Sequence, residues 1–386
     1  MLSNKFKVNY SVGAVANGVK TDTFTFFLLF FYSNIIGLNP GLAGLAIFIA
    51  LCIDAITDPL MGTISDRTNS SFGRRHPYMF ISFIPMSLGY ILLFAPRQEW
   101  DMSQTDLFIW MTIFTVITRI GMTLFDIPHR AFGGEVTKDY KERTILMSWR
   151  EMFAWVAGLS NAFLGYGVFF ASTPEFPQGQ LNPDVWFPFA LTGAAIMVFS
   201  VLYSSLSTKD EINSLSKWSG AISLKDIFNE LKIAIGNKSF LIFFFGNLFL
   251  SLAWGLSNSL TLFVNTYFWE FEATQIKYFL PIYLFGTLFA FYLTPRMVNV
   301  LEKRNIVLIS ISVVGLLSPA AFIFYNLGLT PKNGSFELVL FISSFLLVLI
   351  TFNIIGNMVR DSMVGDIADE VELTLSLIHI SEPTRP

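Results

Sequence analysis

The sequence predicts an all-α, multi-pass membrane protein, and three observations carry that prediction. Apolar runs of about twenty residues recur along the whole chain, the length a helix needs to cross a hydrocarbon core. Charged residues make up only 14% of the 386 residues and hydrophobic ones 53%, where soluble domains carry about 25% charge. The short connectors between the runs alternate between basic and nearly uncharged. A single soluble core has no use for so many full-length apolar helices, and the mean hydropathy of +0.57 agrees. The abundant Phe and the glycines Gly158, Gly165 and Gly167 are read as packing and lipid-facing surface.

Ten spans are expected near residues 8–36, 43–64, 78–95, 105–129, 148–172, 185–206, 239–268, 274–295, 305–327 and 336–360. The first is read as a spanning helix, because no small-residue cleavage site follows it as in a signal peptide. One set of connectors carries Lys5, Lys7, Arg67, Arg74, Arg75, Arg130, Lys138, Lys141, Arg143, Lys209, Lys217, Lys225, Lys232, Arg296, Lys303 and Arg304. The other carries only Arg97, Lys277 and Lys332. The positive-inside rule puts the first set and the N-terminus in the cytoplasm. The longest polar connector divides the chain into a six-helix half over residues 1–206, a cytoplasmic linker over 207–238 and about four helices over 239–372. The faint echo between the turns SDRTNSSFGRRHP and TPRMVNVLEKRN suits a two-halved transporter. An acidic turn is expected after Arg360. The tail, residues 373–386, contains LSLIHISEPTRP, which reads as translated adapter or vector sequence, so the natural chain is expected to continue differently.

Several functions are disfavoured. There is no P-loop, zinc-protease helix or Gly-x-Ser-x-Gly elbow, so neither an enzyme nor an ATP-driven pump is expected, and no cofactor. The lone Cys52 rules out an internal disulfide and a cysteine metal cluster. Basic residues mark topology only, so no nucleic-acid partner is expected. The expected partners are membrane lipid and a small molecule, with the chain acting as a monomer.

The charges inside the spans are the candidate site. Asp54 and Asp58 lie one turn apart on one helix face, ~6 Å along the axis. Each carboxylate centred in lipid costs roughly 2.5–3.5 kcal/mol, so the pair implies a wet cavity, a bound cation or a basic partner. Both stay ionised only if a cation sits between them; otherwise one holds a proton. Either case gives Na+ or H+ coupling, and the competing reading is a structural ion pair with a neighbouring helix. Arg119, Thr123 and Asp126 share one face of span four, and Arg119 can partner Asp126 or an acid on span two. Asp126 precedes Pro128 and has the rival reading of a helix-end charge. His129 is a proton relay or a packed side chain. Arg150 presents a fork suited to a sugar diol or hexuronate, or else pairs with Glu151 or Asp126. Lys20 and Asp22 in span one are too costly to be idle and are candidates for substrate contact. Lys20 can instead neutralise Asp54 or Asp58, which would favour a proton or uncoupled transport. Trp254 and Asn258, with Asn247, Asn265, Asn353 and Asn357, offer an aromatic face and amide forks for a sugar. The rival is helix–helix hydrogen bonding worth about 0.6 kcal/mol each. Gly62, Asp66, Arg67, Gly73, Arg74 and Arg75 form a tight basic turn that either latches to a neighbouring helix or only sets topology.

DAITDPLMG followed by SDRTNSSFGRRHP resembles the glycoside–pentoside–hexuronide cation symporters, the melibiose-permease branch of the major facilitator superfamily. DIPHRAFGGEVTKDYKERT with Trp149 and Arg150, and SMVGDIADEVE, resemble the same family. The resemblance implies a helical bundle of twelve spans, about ten of them present, with a central sugar site and alternating access in a bacterial-type inner membrane. It assigns Asp54, Asp58 and Thr123 to the cation, Asp126 to both cation and sugar, and Arg150 to substrate. The Asp66 to Arg75 turn becomes a gate. The family's first-helix sugar acid falls on Gly18 here, and Arg130 replaces its Trp, so galactoside specificity does not carry over. The expected function is cation-coupled symport of a sugar, glycoside or hexuronide. The alternatives are a lipid-like amphiphile transporter of the same fold and a non-transporting sensor or scaffold.

Overall fold

The computed structural model describes residues 2–68, 70, 72–137, 139–209, 236 and 238–381, with little beyond the backbone over 361–381. Among the described residues all regular structure is helical. Among the described residues nine helical segments are long and apolar enough to cross a membrane: Pro40–Arg67, His76–Leu93, Gln104–Glu135, Ile145–Phe169, Pro183–Ser207, Leu241–Phe268, Thr274–Val300, Lys303–Asn326 and Phe336–Arg360. They are spans two to ten. The chain is an integral, multi-pass membrane protein.

Span one, the remaining expected span, is a broken helix. It runs as Asn4–Val12, Ala14–Asp22 and Leu28–Phe30, with wide π-turns at Thr23–Phe27 and Phe31–Ile36. It stops at Gly37, whose φ of +86° lies in the left-handed region that favours glycine. Each π-turn inserts a residue and rotates the side chains that follow, a device found often at functional sites. Other helix ends follow sequence signals. Asn39 accepts from the Gly41 amide at 2.8 Å ahead of Pro40. Ser103 and Asp106 form a reciprocal capping box at the start of span four.

The described residues fall into two compact units. The first holds spans one to six with Ser257–Thr266 and Glu272–Thr274; the second holds the rest. In the first, span four packs against spans two and three, and span one against spans five and six. Two seams bring backbones into contact. A Cβ on Gly18 would overlap the Ala154 carbonyl, and one on Gly121 would overlap the backbone of Met86. At one end of this unit Phe27, Phe30, Phe31, Tyr32, Phe94, Phe170 and Trp186 are fully buried. The Tyr32 hydroxyl donates to the Leu93 carbonyl at 2.7 Å within that cluster. In the second unit span ten packs against spans eight and nine around Ala290, Ile306, Ile355 and Val359.

The last helix departs from expectation. It is continuous over Phe336–Ser381, where the sequence suggests an acidic turn after Arg360. Residues 361–381 contain no proline to break the run. Between them, Met, Ala, Glu and Leu favour helix. Whether the tail packs against anything, most of the 207–238 linker, and Lys138, Lys217, Lys225 and Lys232 lie outside the described residues, as do the side chains of Lys141 and Arg143.

Gly121→Val is expected to destabilise the first unit by about 1–3 kcal/mol or more through overpacking. It should remove the monodisperse peak in detergent size-exclusion chromatography. Gly134→Ala, where an added Cβ meets nothing within 4 Å, should leave the peak intact.

Candidate functional site

The site begins on the seam between spans two and four. Arg119 forms an ion pair with Asp54, and the Thr123 hydroxyl donates to Asp58 Oδ1 at 2.6 Å. Both contacts join residues 65 apart in the chain. A constant offset at successive i, i+4 steps is what two helices running in the same direction produce. The next step pairs Gly62 with Ile127, whose Cγ2 would lie 3.8 Å from an added Cβ. Proline follows the acids closely on both helices, at Pro59 and Pro128. With no N–H, each leaves the carbonyl four residues earlier, Ala55 or Leu124, without its helical donor.

Asp54 Oδ1 and Thr57 Oγ1 are buried with no hydrogen-bond partner among the described residues. These atoms, like the oxygens of Asp58 and Thr123 on the same stretch of the seam, are hard oxygen donors, the donor chemistry that suits Na+. Orphaned buried oxygens are costly unless something satisfies them. Thr57 escaped the sequence reading. Its signal was a hydroxyl on the same face as Asp54, three residues on. Among the described residues no group of three His, Cys, Asp or Glu side chains gathers for a transition metal.

One turn farther along span four, Asp126 joins a denser net. Arg130 Nε donates to Asp126 Oδ2 at 2.7 Å, and Arg150 pairs with Asp126 and with Glu151. Arg130 Nη1 lies 3.6 Å from Glu151. Arg150 is wholly buried, and its Nε has no hydrogen-bond partner among the described residues. Arg119 thus pairs with the acid of span two rather than with Asp126. Asp126 is shared by two guanidiniums and is no isolated helix-end charge.

Span one contributes on two sides. Lys20 makes no hydrogen bond or ion pair among the described residues, and the charges acting on it are Arg119, Asp126, Asp54 and Asp58. Asp22, two residues on, lies roughly 200° around the helix. It is buried, and Asn161 Nδ2 donates to its Oδ2 at 2.9 Å and to Thr23 Oγ1 at 3.1 Å. Thr23 shares a hydrogen bond of 2.7 Å with the Tyr90 hydroxyl. The structure therefore separates Lys20 from Asp22. Asn161 and Tyr90 carried no motif that could have marked them.

His129 packs. Its Nε2 lies 3.0 Å from the Tyr10 carbonyl, an acceptor only, so Nε2 carries the hydrogen. The ring stacks on Tyr10 at 4.2 Å, and Nδ1 is buried with no partner among the described residues. A relay needs a second contact at that nitrogen.

The basic turn is tied down at the end of span four. Arg74 Nη2 donates to Glu135 Oε2 at 2.8 Å, and Arg75 pairs with Glu135 and, at 2.8 Å, with Asp66. Gly73 turns the chain with φ of +75°, and the Ser70 hydroxyl donates to its carbonyl at 2.6 Å. Arg67 is exposed. Glu135, absent from the sequence reading, is the acceptor on which the turn depends. Trp254 and Asn258 stand one turn apart on span seven, and Trp254 is 44% exposed.

The family model "MFS/sugar transport protein" matches residues 9–374. The chain is 31% identical over 164 residues to the inner membrane symporter YicJ of Escherichia coli (strain K12), covering 42% of this chain and 35% of that one. It is 23% identical over 316 residues to the isoprimeverose transporter of Lactiplantibacillus pentosus, covering 81% of this chain and 63% of that one. The chain spans 35% to 65% of the length of the first curated relatives it matches. In structure it resembles the inward-open xylose transporter XylE from E. coli, with TM-score 0.59 at 13% identity, covering 90% of this chain and 79% of that one. That likeness shows the fold, and with the family model it identifies the helical bundle of the major facilitator superfamily.

Glu135→Ala leaves two guanidiniums without their shared acceptor and is expected to destabilise by about 1.5–3 kcal/mol. The melting temperature of the purified chain should fall, and the 68–75 turn should become the first site of limited proteolysis.

Proposed function

The chain belongs to the MFS/sugar transport protein family, and on that premise we propose that it is a secondary transporter for a sugar or glycoside, driven by a cation gradient. The observation that carries the proposal is the state of Asp58. Its neighbouring acids Asp54 and Asp126 each hold a guanidinium, while Asp58 is met by a neutral hydroxyl. An intramembrane acid without a fixed counter-charge is costly to keep ionised and suits a visiting Na+ or H+. Asp54 Oδ1, Thr57 and Thr123 supply the remaining oxygens for an ion bound there.

Arg150 and Asp126 are the proposed link to substrate. Sugar hydroxyls can accept from Arg150 Nε and donate to Asp126, so substrate competes for groups that the ion site's helix also carries. Lys20 adds a donor beside them. Trp254 and Asn258, one turn apart on span seven, stay candidates for sugar contact by residue type, an aromatic face and an amide fork. Asp22, engaged by Asn161, is assigned to holding span one against span five.

Transport then proceeds by alternating access, with the Asp66–Arg75–Glu135–Arg74 net closing one gate in one half of the cycle. The basic connector charges support a cytoplasmic position for that gate and the N-terminus. A monomer in a bacterial-type inner membrane suffices for this scheme.

The test is uptake of labelled glycosides into proteoliposomes bearing the full chain, with Na+ or H+ gradients imposed separately. Wild type is expected to accumulate substrate only with the productive gradient. Asp58→Asn should abolish accumulation while leaving substrate exchange. Full accumulation by Asp58→Asn would reject the coupling role of that residue, and uptake indifferent to both gradients would reject the coupled mechanism. Uptake of lysolipid in place of any glycoside would favour an amphiphile transporter.

A further inference from the structure

Span seven changes hands near its end. Its residues up to Leu256 belong to the second compact unit, Ser257–Thr266 to the first, and Tyr267–Phe271 to the second again. A helix end leaves its last carbonyls without helical donors, and here connectors supply them. Within the first unit, Gln178 Nε2 donates to the Thr266 carbonyl at 3.0 Å, and Gln180 Nε2 donates to the Thr266 hydroxyl at 3.0 Å. Within the second unit, Asn333 Nδ2 donates to the Phe268 carbonyl at 2.8 Å, and the Gly334 amide donates to the Trp269 carbonyl at 2.9 Å. The first grip and the start of the second are two residues apart, both on the wide π-turn Val264–Phe268.

The grip of the first unit is firmly mounted. Gln178 and Gln180 lie on the connector between spans five and six, residues 170–182, which has no Lys or Arg and so belongs to the end of the bundle opposite the basic turns. A Cβ on Gly179, between them, would come within 2.3 Å of the Phe170 carbonyl oxygen and 2.4 Å of that of Ala171. That close approach fixes the directions in which the two glutamines leave the chain. Gln180 is wholly buried, and its carbonyl accepts from Trp186 Nε1 at 3.1 Å. Phe30 stacks on Trp186 and meets Phe263 of span seven edge-on at 5.2 Å. One atom of the grip is nevertheless unsatisfied. Gln180 Oε1 is buried with no hydrogen-bond partner among the described residues, which makes this arrangement less stable than its two hydrogen bonds alone suggest.

We propose that the connector between spans five and six is a clasp on span seven, and that each transport cycle requires it to release Thr266. The inference rests on the alternating-access reading and adds a named release point to it. When the two units rock, grips two residues apart on one chain cannot both hold. The second unit's grip is reinforced by rings, since Phe268 and Trp269 both pack on Phe322 and Tyr325. The first unit's grip consists of two neutral amide bonds with an orphaned acceptor beside them, and it is the one that yields. Release exposes the Gln180 amide and the Thr266 hydroxyl to water, which satisfies the orphaned oxygen as the bonds break. The clasp is thus stable enough to close one end of the bundle and cheap enough to open on every turnover.

The experiment uses the full chain in proteoliposomes, with Cys52→Ser removing the one native thiol. Gln180→Cys/Thr266→Cys is joined by a short bifunctional thiosulfonate, and uptake and exchange of labelled glycosides are read before linking, after it and after reduction. Linking should bring both down to the level of empty liposomes, and reduction should restore them, while the reagent leaves Cys52→Ser alone unaffected. A linked chain that transports as fast as the reduced one overturns the inference. If the unlinked double variant does not transport, labelling decides. Leu262, 1% exposed and one turn before Thr266, is changed to cysteine and reacted with a membrane-impermeant maleimide. Adding Gln178→Ala/Gln180→Ala should raise the labelling rate about tenfold or more, the effect of removing two ordinary hydrogen bonds. An unchanged rate overturns the inference. A wild type that takes up no glycoside rejects the transport reading itself, and the labelling comparison still decides the clasp.

Discussion

The constraint on which the rest depends is the in-register seam of spans two and four. Two helices running the same way keep a constant offset, so every fourth residue of one meets every fourth residue of the other. Asp54 meets Arg119, and Asp58 meets Thr123. The same face carries three carboxylates and one guanidinium into an apolar bundle, which the chain tolerates only because the register makes partners coincide. Slip the register by one residue and each helix turns its charges by roughly 100°, toward lipid or backbone. The small residues elsewhere serve this register. Gly121 lets span three lie backbone-to-backbone on span four, and Gly18 does the same for spans one and five.

From that seam the charge network continues along span four in two nets. At Asp126 it gathers Arg150, wholly buried, with Arg130 and Glu151, each about half exposed. At the end of the same helix Glu135 gathers Arg74 and Arg75, both largely buried, and Arg75 also holds Asp66. Each net thus has a buried guanidinium, Arg150 or Arg75, held by acids that solvent reaches in part. Stranding a buried charge by removing its partner costs about 3–5 kcal/mol, while the solvent-facing pairs contribute less and break more readily. The solvent-facing pairs are the ones that the proposed rocking mechanism can exchange.

Much of this was legible in the sequence and some was not, for physical reasons. Apolar run length gave the spans, because the backbone leaves few ways to cross lipid. The acids of span two and the Arg119–Thr123–Asp126 stripe were visible because helical spacing alone puts them on one face. Which acid Arg119 takes was not visible, since that depends on the relative register of two helices. Span one read as an ordinary helix, because π-turns leave no residue signature. Thr57, Glu135, Asn161 and Tyr90 are common polar residues whose importance comes only from what they face. The acidic stretch after Arg360 read as a turn because it is charged, yet it contains no proline to break a helix.

The pairing of Asp54 with Arg119 counts against an ion site only if both acids must be free, since a carboxylate held by a guanidinium has no charge to offer. The asymmetry between the two acids points the other way. A site of two free carboxylates would hold a monovalent ion too tightly to release it, and would be unstable when empty. Neutralising Asp54 leaves its second oxygen as a polar but uncharged ligand, buried and without a donor. Asp58 alone then carries the net charge that an ion answers. On the proposed reading such a site selects a cation and still empties, because only one formal charge is exchanged. The guanidinium on Asp54 is thus compatible with transport for the same reason that a second guanidinium on Asp58 would not be.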